Sequence, residues 1–78
     1  MKTTGYFRHT RRRPDRAWIK DEWIERALRA PLATRIQCDG RVRRWIWVKE
    51  AGKFLRVITL ADGETVHNAF FDRDFHGR

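Results

Sequence analysis

Between Arg41 and Phe71 the hydrophobic and polar positions alternate in three runs. Val42, Arg44, Ile46 and Val48 alternate with Arg43, Trp45, Trp47 and Lys49. A period of two puts aliphatic groups on one face of a strand and tryptophans with cations on the other. Glu50-Ala51-Gly52-Lys53 reverses the chain into a second strand, Phe54 to Leu60. Asp62-Gly63 reads as a two-residue type I′ turn into a third strand, Thr65 to Phe71. Ala33 to Cys38 is a fourth strand, joined to Arg41 through a second Asp-Gly turn at Asp39-Gly40.

Turns of these lengths predict a register. Leu60 falls opposite Thr65, Ile58 opposite His67 and Arg56 opposite Ala69. Val48 falls opposite Leu55, Trp47 opposite Arg56 and Ile46 opposite Val57. One face then holds Val42, Arg44, Ile46, Val48, Leu55, Val57, Thr59, Val66, Asn68 and Phe70, and this more aliphatic face is the expected core. The other holds Trp45, Trp47, Arg56, Ile58, Leu60, Thr65, His67, Ala69 and Phe71, and is the expected working surface. A slip of one residue in either hairpin exchanges the faces of a strand.

Upstream, Asp15 to Ala30 follows a helical period with a break near Ile19-Lys20. Ile19, Trp23, Ala27 and Ala30 line one side, with Ile24 and Leu28 adjoining. Asp21 and Glu22 precede Arg26 and Arg29, an order that complements the helix dipole. Glu22–Arg26 and Glu25–Arg29 are spaced as i, i+4 pairs, and Pro31 ends the element. The run from Arg8 to Arg13 reads as a helical turn or as an extended arm, and Pro14 disfavours helix at Arg13. The pattern predicts an α+β domain spanning residues 1–78, with one principal N-terminal helix on a four-stranded antiparallel meander. Residues 1–6 and 72–78 are expected to be loosely held.

Charge changes this picture more than composition does. The chain carries a net charge of +8, and residues 1–16 hold six Lys/Arg against a single acid. Such a balance attracts polyanions, chiefly nucleic acid, and equally serves solubility. Cys38 is the only cysteine, which fits a cytoplasmic protein without a disulfide framework. Cys38 and three scattered histidines show no metal-ligand spacing, so neither a metal nor another cofactor is expected. No apolar run is long enough to span a membrane.

The sequence has no phosphate loop, nucleophile elbow or paired-carboxylate motif. The candidates for chemistry are cations, histidines and aromatics. His67 lies mid-strand with Arg56 on the neighbouring strand. On an RNA phosphodiester the imidazole would move a proton and the guanidinium would stabilise developing negative charge. His9, in the Arg-rich run, is a second candidate base. His9 reads first as an exposed residue in a floppy arm, whereas His67 reads equally as a partly buried residue bonded to a neighbour. Trp45 and Trp47 are candidates to stack bases, or else form a second apolar layer. Arg11, Arg12, Arg13 and Arg16 are candidates to grip phosphate, or else a solvated charge run.

The pattern His9-x-x-x-Arg13-x-x-Arg16-x-x-Ile19, then Trp23-Ile24, Ala27-Leu28 and Pro31, an Asp-Gly turn, an aromatic strand and Phe54-Leu55-Arg56-Val57-Ile58 resembles a family of small bacterial proteins. That family, of unknown function, is grouped with the RelE/ParE-like toxins and the barnase-like endoribonuclease fold. The resemblance spans Phe7 to Phe71. It implies an antiparallel sheet with helices on one side and a toxin-like, metal-independent endoribonuclease role, with His9, Arg13 and Arg16 at matching positions. It also implies RNA and an antitoxin or other protein as partners. Pro14 departs from the family's uninterrupted opening helix. The competing reading is an accessory protein that binds a partner, or itself as a homodimer, through its aromatic face.

Overall fold

The computed structural model describes residues 1–77. Four antiparallel strands, β1 (Ala33–Ile36), β2 (Val42–Val48), β3 (Lys53–Thr59) and β4 (Val66–Phe71), lie in the order β1-β2-β3-β4. Two short helices, α1 (Gly5–Thr10) and α2 (Asp21–Arg29), pack on one face of the sheet. The expected α+β meander is present, but the single principal helix is not.

Local chemistry explains the division of the helical segment. The Thr4 hydroxyl accepts the Phe7 N–H and caps α1. Residues 11–18 turn instead of continuing as helix. Pro14 restricts Arg13, and Ala17 N–H then folds back to the Arg13 carbonyl at 2.8 Å. α2 starts only at Asp21, with Asp21 and Glu22 in its first turn and Arg26 and Arg29 in its last, as the dipole favours. Arg26 does not take up the expected pairing with Glu22. Its Nη2 donates to the Trp47 carbonyl at 3.0 Å and so ties α2 to β2.

The core lies between the helices and one sheet face. Phe7, Ile19, Trp23, Ile24 and Ala27 meet Ile46, Val48, Leu55, Val57, Val66 and Ala69. Fully buried aliphatics such as Ile24, Leu55 and Val57 contribute about 2 kcal/mol each by leaving water. The expected helix-facing aliphatics of β2 and β3 are therefore in the core, but Arg44 is not, and the register differs. Ile46 pairs with Leu55 and Trp45 with Arg56, two residues from the expected alignment. A slip of two preserves the face of every side chain.

The third hairpin behaves differently. Leu60 N–H bonds to the Thr65 carbonyl at 2.9 Å, as the turn predicts. Thr59 then pairs with Val66, but Ile58 pairs with Asn68, so His67 is the extra residue of a β-bulge. Beyond the bulge every face is exchanged. Ala69 and Phe71 join the core side, and Asn68 and Phe70 turn to the opposite face with Arg56. Their expected assignments are reversed. The turns also differ from type I′, which needs positive φ at both central residues. Gly40 and Gly63 have φ of 89° and 72°, and no non-glycine residue has positive φ. Gly63 N–H bonds to the Leu60 carbonyl at 3.0 Å, and glycine then supplies the left-handed step.

Among the described residues, Lys2 to Thr4 and Asp72 are held more closely than expected. The Val66 N–H bonds to the Lys2 carbonyl at 2.8 Å and the Thr4 N–H to the Val66 carbonyl at 3.0 Å, which covers the outer edge of β4. After β4, the Asp72 N–H bonds to the Phe54 carbonyl at 2.9 Å and prolongs the ladder by one residue.

Candidate nucleic-acid interface

The face turned away from the helices carries Arg43, Trp45 and Trp47 from β2, Phe54, Arg56 and Ile58 from β3, and Asn68 and Phe70 from β4. Arg56 is directly opposite both Trp45 and Phe70. Its guanidinium carbon lies 5.4 Å from the Trp45 ring and 5.1 Å from the Phe70 ring, both within cation–π range. Arg16 reaches the same Phe70 ring at 5.5 Å, and its Nη1 donates to Asn68 Oδ1 at 2.7 Å.

The two tryptophans of β2 have different fates. Trp45 is 2% exposed although it faces away from the helices. Its cover is the C-terminal segment. The ring of Phe75 lies almost parallel to the indole, with centroids 4.6 Å apart and planes 9° apart. The indole N–H donates to Asp72 Oδ2 at 3.0 Å. Trp47 is 48% exposed and meets Phe54 edge-on. Of the two expectations, an apolar layer describes Trp45 and an accessible aromatic describes Trp47.

Beside this layer lies an open cleft of about 520 Å³, lined by Arg35, Arg43, Trp45, Arg56, Asp72, Asp74, Phe75 and His76. Arg43 is braced by its Nε–H, which donates to Gln37 Oε1 at 2.8 Å. Asp72 is the internal counter-charge. Burial would raise its pKa, but hydrogen bonds from Trp45 and Arg56 and the positive charge of Arg56 outweigh that and hold it below the ordinary carboxylate value.

The remaining sequence candidates are distributed over other surfaces. His67 lies in the bulge, with Nδ1 3.0 Å from the Thr4 hydroxyl and its ring stacked on Tyr6 at 4.8 Å. Burial, and then the charge of Arg41, lowers its pKa. The partners of Arg56 are instead Asp72, Trp45 and Phe70. His9 is exposed on α1. Arg11 pairs with Asp21 and lies over Phe7, whereas Arg12 and Arg13 are exposed on the following turns.

The cleft draws on residues that the alternation argument passed over. Arg43 had the right signal, because it shares parity with Trp45 and Trp47. Phe75 is a lone aromatic in a polar tail, and a single apolar residue there carries no signal of its contacts. Among the described residues, no group of three or more His, Cys, Asp or Glu side chains could hold a metal ion. No helix among them is long and apolar enough to cross a membrane. No family model, curated protein or solved structure matches this chain.

Proposed function

We propose that this protein binds single-stranded RNA along the sheet face opposite its helices, as a small basic protein of RelE-like type. The observation that carries the reading is the cleft, in which Arg35, Arg43 and the Asp72-paired Arg56 stand beside the Trp45 ring, which Phe75 covers. Cations that track a backbone beside rings that stack bases are what sequence-tolerant binding of single strands requires. The half-exposed Trp47 extends the aromatic surface along β2. Arg12 and Arg13, on the turns leading to Arg16, add exposed positive charge.

A labelled oligoribonucleotide titrated at two salt concentrations tests this. If Arg35 and Arg43 of the cleft and the exposed Arg12 and Arg13 contact phosphate, log affinity should fall against log salt with a slope of about −3. Affinity that is absent, or indifferent to salt, would remove the reading.

Metal-independent cleavage is the further step that the toxin-like resemblance implies. The feature favouring it is His76, an imidazole lining the same arginine-rich cleft. Cleavage in the presence of EDTA that is lost in His76→Gln and kept in His67→Gln would place the chemistry there. An uncut RNA would leave a binding protein.

A further inference from the structure

Phe75 lies on Trp45 as a nucleobase would lie on an indole. The separation of 4.6 Å and the 9° tilt are a face-to-face arrangement, whereas Phe75 meets Phe54 edge-on at 5.0 Å and 76°. The ring is returned to this position by a turn. Asp72 is pinned to the sheet through its N–H to the Phe54 carbonyl, and its Oδ1 accepts the Asp74 N–H at 3.0 Å. That side-chain-to-backbone bond bends the chain back over the sheet. Asp72 Oδ2 meanwhile fixes the indole through Nε1 and neutralises Arg56. The platform is therefore held by Asp72, which belongs to the ladder, and its cover is supplied by Phe75, which lies beyond the turn.

We propose that the Trp45 ring is a base-stacking subsite masked by the chain's own Phe75, and that a base of single-stranded RNA displaces Phe75 to occupy it. The inference rests on the RNA-binding reading above. Displacement needs movement only beyond the Asp72–Asp74 turn, so the sheet and the Arg56–Asp72 pair stay intact. Arg35 and Arg43 line the cleft alongside Trp45, where the phosphates flanking a stacked base would run. Phe75 is thus an internal competitor that lowers affinity until a strand with an available base arrives.

Two variants remove the competitor, Phe75→Ala and Phe75→Ser. Each is compared with the intact protein by anisotropy, against an oligo(rA) of about ten nucleotides and against inorganic polyphosphate, which has charge but no base. Thermal melts read by circular dichroism confirm that both remain folded. The expected result is affinity for oligo(rA) raised about tenfold, the scale of one base–aromatic stack, with affinity for polyphosphate unmoved. If the intact protein binds RNA and neither variant binds more tightly, masking is wrong while RNA binding stands. A gain shared equally by polyphosphate would mean uncovered charge and would overturn the subsite. Absence of RNA binding in all three proteins would overturn the RNA-binding reading itself.

Discussion

Arg56 and Asp72 form an ion pair across the open face of the sheet, with Nε and Nη2 both donating to Oδ2, at 3.0 and 2.6 Å. The Trp45 indole N–H donates to the same oxygen. One carboxylate thus joins β2, β3 and the segment after β4. The Asp72 side chain is 6% exposed and that of Arg56 21%. Removing the carboxylate strands a guanidinium and an indole N–H in a poorly hydrated layer. Asp72→Ala should destabilise the protein by about 2–4 kcal/mol, read as a lowered urea midpoint. Asp72→Asn retains an acceptor and should cost less. Equal losses in the two variants would show that the carboxylate's acceptor role is not what matters.

Acid should weaken the fold in two steps. Asp62 accepts the Thr65 hydroxyl at 2.6 Å, and also the backbone N–H groups of Thr65 and Glu64 at 2.9 Å. Those bonds lower its pKa to about 2. Asp72 is also held low. A carboxyl with a folded pKa below its unfolded value adds stability above the unfolded value, and that stability is lost as pH falls towards the folded one. The window runs from about 4 down to about 2. Asp62→Asn should make the stability profile shallower there.

His67 produces the earlier step. Its folded pKa is lowered from an ordinary 6.5, so below that value the unfolded chain takes up the proton more readily than the folded one. Stability should therefore decline as pH falls from about 7. In His67→Gln this decline should vanish; its persistence would assign the step to another group.

The arginines of the N-terminal run should separate into two kinds. Arg16 is built into the fold through Asn68 and Phe70. Arg16→Ala should cost about 1–2 kcal/mol of stability. Arg12 and Arg13 are exposed, so Arg12→Gln and Arg13→Gln should leave the melt unchanged. Each should reduce the salt slope of RNA binding by somewhat less than about one unit. Melts that shift equally in all three variants would contradict this division.

Thr4 joins the chain's start to the bulge. Its hydroxyl accepts the Phe7 N–H at 3.1 Å and lies 3.0 Å from His67 Nδ1. Thr4→Val keeps the side-chain shape and removes both contacts, so thermal denaturation should show a loss of about 1–2 kcal/mol. An unshifted transition would mean that water replaces both contacts at no cost.

Much of the fold was legible because its signals are local. The alternation in Val42–Val48 and Phe54–Leu60 assigned the faces of β2 and β3, and it survived a two-residue error in register because side chains repeat every two residues. Pro14, Pro31 and the acidic start at Asp21 mark helix boundaries, although Asp15 to Lys20 follows the helical period without forming helix. The candidate site was less legible. His67 and Arg56 were linked through a continuous β4 ladder, and the bulge gave His67 different neighbours.

What local pattern alone determined, then, is that Trp45, Trp47 and Arg56 share a surface that the core does not use, because a pleated strand alternates whatever it packs against. Tertiary contacts decided what that surface became. Pairing of Lys2 and Thr4 with Val66 accompanies the bulge at His67. A carboxylate 16 residues from Arg56 in the chain closes over it and brings Phe75 onto Trp45. Period-two spacing carries no information about such contacts, since they depend on where distant segments come to rest.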